Sequence, residues 1–168
     1  VRRPTWQRRA RPLAAALALW PLLAAASPPP PAPAPLGVVA GLDLGGGASL
    51  GGSDASHDLV EVELSLGYEL WAGLRPEAAL LLGTAPRTYA GVRLGLHYAL
   101  PGTPLYARAA IDAATVSGAW DWRWLFFGGG AELRLTDLLG LFGEADVGLP
   151  LGSLGYGTLL RAGVTLRF

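Results

Sequence analysis

The sequence predicts an all-β fold: a single eight-stranded antiparallel up-and-down transmembrane β-barrel after an N-terminal signal peptide. Three observations carry that prediction. From Val38 onward the chain breaks into about eight segments bounded by Gly, Pro, Asp or Ser clusters, and tilted strands of about 9–11 residues suffice to cross a bilayer. Apolar and polar residues alternate within most segments, the period of a two-faced sheet. The 24 glycines among 168 residues exceed the usual share of about 7%. Glycine inside apolar segments disfavours a helical bundle and is tolerated where strands curve or pack closely.

The chain opens with a basic stretch holding Arg2, Arg3, Arg8, Arg9 and Arg11. Leu13 to Ala26 then form an apolar run closed by small residues, the order of a secretory signal peptide over residues 1–26. A membrane anchor is the alternative, but the fourteen residues fall short of the roughly 20 needed to span, and Pro21 interrupts them. Residues 27–36, Ser27-Pro-Pro-Pro-Pro-Ala-Pro-Ala-Pro-Leu36, lack the donors a sheet ladder needs and read as an extended linker of polyproline II geometry. The barrel is assigned to residues 37–168.

Its strands are expected at about 37–49, 58–70, 74–83, 88–100, 105–116, 123–135, 141–149 and 158–168. The last alternates completely, with Leu160, Ala162, Val164, Leu166 and Phe168 opposed to Arg161, Gly163, Thr165 and Arg167. The second sets Val60, Val62, Leu64, Leu66 and Tyr68 against Glu61, Glu63, Ser65, Gly67 and Glu69. The fourth to seventh follow the same rule, and the first and third follow it more weakly. Connections at 51–57, 84–87, 117–122 and 150–157 fall at one end of the barrel, and shorter turns near 71–73, 101–104 and 136–140 fall at the other.

Alternation alone also suits a soluble ligand-binding barrel, so the direction of the apolar face needs other support. The export signal supplies some, and aromatic residues supply more. Tyr68, Trp71, Tyr98, Tyr106 and Phe168 gather near the short-turn end, while Tyr89, Trp120, Trp122, Trp124, Phe127 and Tyr156 gather near the other, as at two membrane interfaces. By parity Trp124 and Tyr106 face the lumen and drop out of the belts. The terminal pattern Leu160-Arg-Ala-Gly-Val-Thr-Leu-Arg-Phe168 resembles the closing strand of bacterial outer-membrane barrels. Residues 37–168 resemble the small outer-membrane β-barrel family of OmpA, OmpX and OmpW type. That resemblance implies a Gram-negative outer-membrane location reached through the periplasm, outer-membrane lipids and lipopolysaccharide as surroundings, and the barrel-assembly machinery as a partner that reads the strand ending in Phe168.

Parity sends Asp43, Glu61, Glu63, Glu69, Glu77, Asp112, Glu132, Glu144 and Asp146 into the lumen with Arg75, Arg93, Arg108, Arg134, Arg161 and Arg167. An eight-stranded barrel is just wide enough for side chains to fill. These charges should therefore pair with one another, because an isolated buried charge is costly. The expectation is a plugged lumen and not a diffusion pore. From Ser27 onward eight Arg and thirteen acids leave a net charge of −5, which gives nucleic acid no basic footprint.

Candidate chemistry is sparse. Ser53, Asp54, Ser56, His57 and Asp58 include the residue types of a hydrolytic triad, but neighbouring loop residues do not provide a base within reach of a nucleophile and an acid beyond it, and a solvated loop explains them. His97 is read as a hydrogen-bonded interior histidine beside Arg93. With two His and no Cys, neither a zinc nor a calcium site is supported. Gly45-Gly46-Gly47 and Gly128-Gly129-Gly130 lack a phosphate-binding context, since the chain has no Lys, and suit close packing against bulky lumen residues such as Phe126. Trp120, Trp122 and Trp124 with Arg123 read as a rim cluster that anchors to lipopolysaccharide head groups. No catalytic, cofactor-binding or metal residue is assigned. The expected function is structural or envelope maintenance by a monomeric, non-enzymatic barrel. The alternatives are a narrow channel for small hydrophobic solutes, a lipid A-modifying barrel enzyme and a secreted ligand-binding barrel.

Overall fold

The structure, a computed structural model, describes residues 37–168 except 53–56, 71–72, 85–86, 117 and 152–153. The signal peptide, the linker, Ser53, Asp54, Ser56 and Trp71 lie outside the described residues. Eight antiparallel strands follow in order: β1 (Val38–Gly52), β2 (His57–Tyr68), β3 (Leu74–Thr84), β4 (Thr88–Ala99), β5 (Leu105–Val116), β6 (Ala119–Arg134), β7 (Leu139–Pro150) and β8 (Leu154–Arg167). Each pairs with its neighbours in sequence, and β8 returns to β1 to close the barrel. The seam runs from Val39 opposite Arg167 to Gly52 opposite Leu154, with the Phe168 amide donating to the Val38 carbonyl at 2.9 Å.

The strands of 11 to 16 residues are mostly longer than the alternation suggested. Most of the extensions lie at one end, which we call the loop end, and β7 also gains Leu139 and Gly140 at the other. Ala119 to Trp122, expected in a connection, belong to β6, and Leu154 to Gly157 belong to β8. Four residues separate β1 from β2, three β3 from β4, two β5 from β6 and three β7 from β8. The opposite, turn end has five residues between β2 and β3, five between β4 and β5 and four between β6 and β7. The expected contrast of short turns and longer loops is therefore reversed. Glycine-rich strand ends and a run of tryptophans carry no clean alternation, so their pairing was not visible in the local pattern.

Outward positions carry Leu42, Leu44, Val60, Val62, Leu64, Leu66, Leu80, Leu82, Val92, Leu94, Leu96, Val147, Leu160, Val164 and Leu166, all exposed. Among the described outward strand positions the one charge is Asp58, at the loop end of β2. A strand of about 12 residues rises about 3.4 Å per residue; tilted by about 35–45° it stands roughly 30 Å tall. That covers an apolar band of about 25 Å.

Glycines face bulky lumen side chains. A Cβ on Gly148 would stand 2.7 Å from Cε1 of Phe126, and one on Gly45 would stand 2.9 Å from both Arg161 Cγ and Leu159 Cδ1. In the run Gly128 to Gly130 the neighbours that need the room are Asp146 and Tyr106, not Phe126. Gly148→Ala is expected to destabilise the barrel by about 1–3 kcal/mol through overpacking, measured as a shift in urea midpoint. Gly46→Ala, where an added Cβ meets nothing within 4 Å, should shift it far less.

Candidate functional site in the barrel lumen

All fifteen charged residues assigned to the interior by parity point inward, and Arg123 joins them, giving nine acids and seven arginines. They are graded along the barrel axis. Toward the loop end the filling is apolar: Leu59, Leu81, Tyr89, Ala114, Trp124, Phe126 and Leu159 form one buried cluster with Ala79 and Ala110. Trp124 and Phe126 were expected in the lumen, but their gathering with Leu59, Leu81 and Leu159 into one apolar plug was not. Inward Leu59 and Leu159 lie opposite Gly47 on either side, where a Cβ would run into the Thr158 carbonyl.

The middle layer is ionic. Arg93 contacts Glu61 at 2.8 Å, Glu63 at 2.5 Å and Asp112 at 3.4 Å. Arg108 reaches Glu63 at 2.8 Å, Glu144 at 3.1 Å and Glu77. Arg161 reaches Glu63 and Asp146, each at 2.7 Å, and Glu144. Glu63 is thus shared by three arginines from β4, β5 and β8 and ties distant strands together. Tyr89, expected in the outer aromatic belt, instead points inward and donates its hydroxyl to Glu61 at 2.7 Å.

The layer nearest the turn end is wetter. Arg167 pairs with Glu132 at 2.6 Å, and Arg134 reaches Glu69 at 3.6 Å. The Arg134 side chain is 25% exposed, against 1% for Trp124 at the other end. The lumen is therefore partly open to solvent at the turn end and filled by the apolar plug toward the loop end.

A β-bulge accounts for Arg123, the rim residue that parity misplaced. Ile111 pairs with Leu125 but Ala113 pairs with Trp122, so Asp112 stands opposite both Arg123 and Trp124. Asp112 accepts the Trp124 amide at 2.9 Å. The extra residue turns two consecutive side chains to the same side, and both are buried. The Arg123 guanidinium lies 3.7 Å from the Tyr89 ring centre and 4.2 Å from that of Trp124, while the Trp124 indole donates to the Gly155 carbonyl at 2.8 Å. Arg123 and Trp124 are therefore not exterior anchors. Trp120, Trp122 and Tyr156 remain exposed near the loop end, and Tyr68, Tyr98 and Phe168 near the turn end. Phe127 faces outward closer to the middle of β6, opposite Ala109 and Val147.

His97 lies inside the barrel opposite Arg75 and Arg108. It stacks on Tyr106 with ring centres 4.1 Å apart, and neither ring nitrogen has a hydrogen-bond partner, which corrects the expected hydrogen-bonded histidine. Beside it lies a cavity with about 20 Å³ open to the centre of a water molecule, lined also by Asp43, Glu63, Ser65, Tyr106 and Arg108. Of the proposed hydrolytic set, Asp58 faces outward on β2.

No protein-family model matches the chain, and no curated protein does. Solved structures do. A de novo designed transmembrane β-barrel superposes with a TM-score of 0.58 at 16% identity, covering 81% of this chain and 98% of the design. Neisserial surface protein A (NspA) gives 0.57 at 16%, covering 78% and 97%. The N-terminal β-barrel domain of Pseudomonas aeruginosa OprF gives 0.55 at 17%, covering 78% and 97%. At such identities the likeness is one of fold: this chain adopts the architecture of small outer-membrane barrels.

Proposed function

We propose that the protein is an outer-membrane barrel with a structural, envelope-maintaining role, a plugged scaffold in the bilayer and neither a pore nor an enzyme. The observation that carries this reading is the inverted distribution of polarity. The exterior is apolar between two aromatic rings, and the interior holds the charges. A barrel in water would do the reverse, which disfavours the secreted ligand-binding alternative. Both described chain ends meet at the turn end, which would then face the periplasm, with Phe168 presented to the assembly machinery and the loop end among lipopolysaccharide.

The apolar plug disfavours the narrow-channel alternative, since an ion entering from the turn end would have to shed its water against Leu59, Leu159 and Trp124. Refolded protein in planar bilayers is expected to give no steady conductance, and a large, stable single-channel current would overturn the scaffold reading. Lipid A from cells producing the protein should be unchanged in mass. A second check is optical. Replacing Trp120 and Trp122 together by Phe should remove most of the loop-end quenching of tryptophan emission by brominated lipids, whereas Trp124→Phe should leave that quenching intact.

A further inference from the structure

The wall of the barrel is uneven at its loop end. The ladder between β6 and β7 stops at Trp124 opposite Pro150, and Pro150, the last residue of β7, has no amide with which to extend it. One further bond runs from the Leu151 amide to the Arg123 carbonyl at 3.0 Å. Above that bond β6 still holds Ala119 to Trp122, which pair with β5 alone, from Val116 opposite Ala119 to Ala113 opposite Trp122. Across the gap β7 and β8 part at Gly148 opposite Gly157, and the Gly155 carbonyl accepts from the Trp124 indole instead. Beyond that point β8 pairs with β1, up to Leu154 opposite Gly52. The rim is therefore notched between the tips of β6 and β8. Among the described residues no strand covers the β6 side of the notch.

An uncovered edge presents its amides and carbonyls to any extended chain, and natural edges are blunted by lysine, proline or a bulge. Ala119 to Trp122 contain neither lysine nor proline, and the bulge lies below them, at Asp112. Trp120 and Trp122 stand exposed on the outward face of this edge, and Asp121 stands exposed on the other. Arg123, the nearest cation in sequence, is buried against the Tyr89 and Trp124 rings and gives the strip no exposed positive charge. A second copy in the same membrane cannot cover the edge. Barrel strands tilt by about 35–45°, so the β6 edges of two upright copies would cross at about 70–90° and share no ladder. A free extended segment has no such constraint.

We infer that the Ala119–Trp122 edge is a docking strip for an extended segment of another polypeptide, added antiparallel to β6, with apolar side chains beside Trp120 and Trp122 and a lysine or arginine opposite Asp121. Main-chain bonds give strand addition its affinity, and alternate side chains give it selectivity. Antiparallel pairing is the more stable geometry. Opposite charges directly across a sheet attract and like charges repel, so Asp121, the one charge on the strip, sets the sign of the partner. The strip lies within the wall and not in a loop above it. It adds a partner to the scaffold reading without depending on the filling of the lumen.

The test uses the full chain refolded in a zwitterionic detergent, with barrel closure checked by heat-modifiable gel migration. The probe is a dye-labelled heptapeptide of alternating valine and lysine, read by fluorescence anisotropy, beside a twin with glutamate in place of lysine. Two further lysine peptides are N-methylated, one on the valine amides and one on the lysine amides. The lysine peptide is expected to bind at least about fivefold more tightly than the glutamate peptide, and Asp121→Lys, at an exposed position, should reverse that order. One methylated peptide should lose binding and the other keep it, since alternate amides face the edge. Trp120→Ala combined with Trp122→Ala should weaken binding. Three results would each overturn the proposal: no saturable binding of the lysine peptide, an unchanged order of preference in Asp121→Lys, or equal binding of the two methylated peptides. The last two would mean that the probe is held by the micelle or by net charge and not by a strand edge.

Discussion

Glu63→Gln is expected to lower the unfolding free energy by about 3–5 kcal/mol, the loss seen when one partner leaves a buried ionic cluster. The side chain keeps its shape, so packing is not the cause. Glu63 accepts from Arg93 at 2.5 Å, Arg108 at 2.8 Å and Arg161 at 2.7 Å. Neutralising it leaves three guanidinium groups on three strands with a reduced share of negative charge. Arg134→Gln, whose contact with Glu69 is 3.6 Å long and partly solvated, should shift stability by less than about 1 kcal/mol. Urea titrations of both variants, read by intrinsic fluorescence and by gel migration, decide the matter. A Glu63→Gln midpoint within error of wild type would mean that the central network is dispensable.

The second large effect concerns the exterior. Leu94→Arg places a guanidinium near the middle of β4 on the outward face, and in lipid vesicles it is expected to reduce stability by about 2–4 kcal/mol, whereas Val38→Arg at the strand end should reduce it by about 0–1 kcal/mol. The gradient matters more than either value. A bilayer imposes a depth dependence that water cannot, so equal small effects at Leu94 and Val38 would contradict burial in hydrocarbon.

Much of the barrel was legible because a strand's faces are set by a period of two that any short segment displays. The eight strands and the fifteen inward charges follow from that rule alone, whereas which arginines meet Glu61 and Glu63 depends on the register of distant strands. What was illegible depended on partners. A bulge exists only in relation to the opposite strand, and nothing in Trp122-Arg123-Trp124 announces that Asp112 on β5 will face two residues at once. Tyr89 shares the parity of Gly91, Arg93, Gly95 and His97 in β4, so its turn toward Glu61 was legible in the alternation and the assignment to the aromatic belt overlooked it. The apolar plug was hidden for another reason: Leu59 and Leu159 lie on the charged faces of β2 and β8, beside apolar neighbours that mask the register. Asp43 was named as a lumen acid, but that it makes no ion pair among the described residues emerges only when every other pair has been made.

The hairpin from β5 to β6 has two residues between its strands, with Gly118 at a φ of +90°, and the other three loop-end connections are scarcely longer. If that end faces the cell exterior, the molecule offers antibodies, phages and proteases almost nothing to grasp beyond the membrane plane. It would be a low-profile resident of the surface, and any epitope grafted between Val116 and Ala119 would stand alone above a bare rim, an uncluttered mount for display.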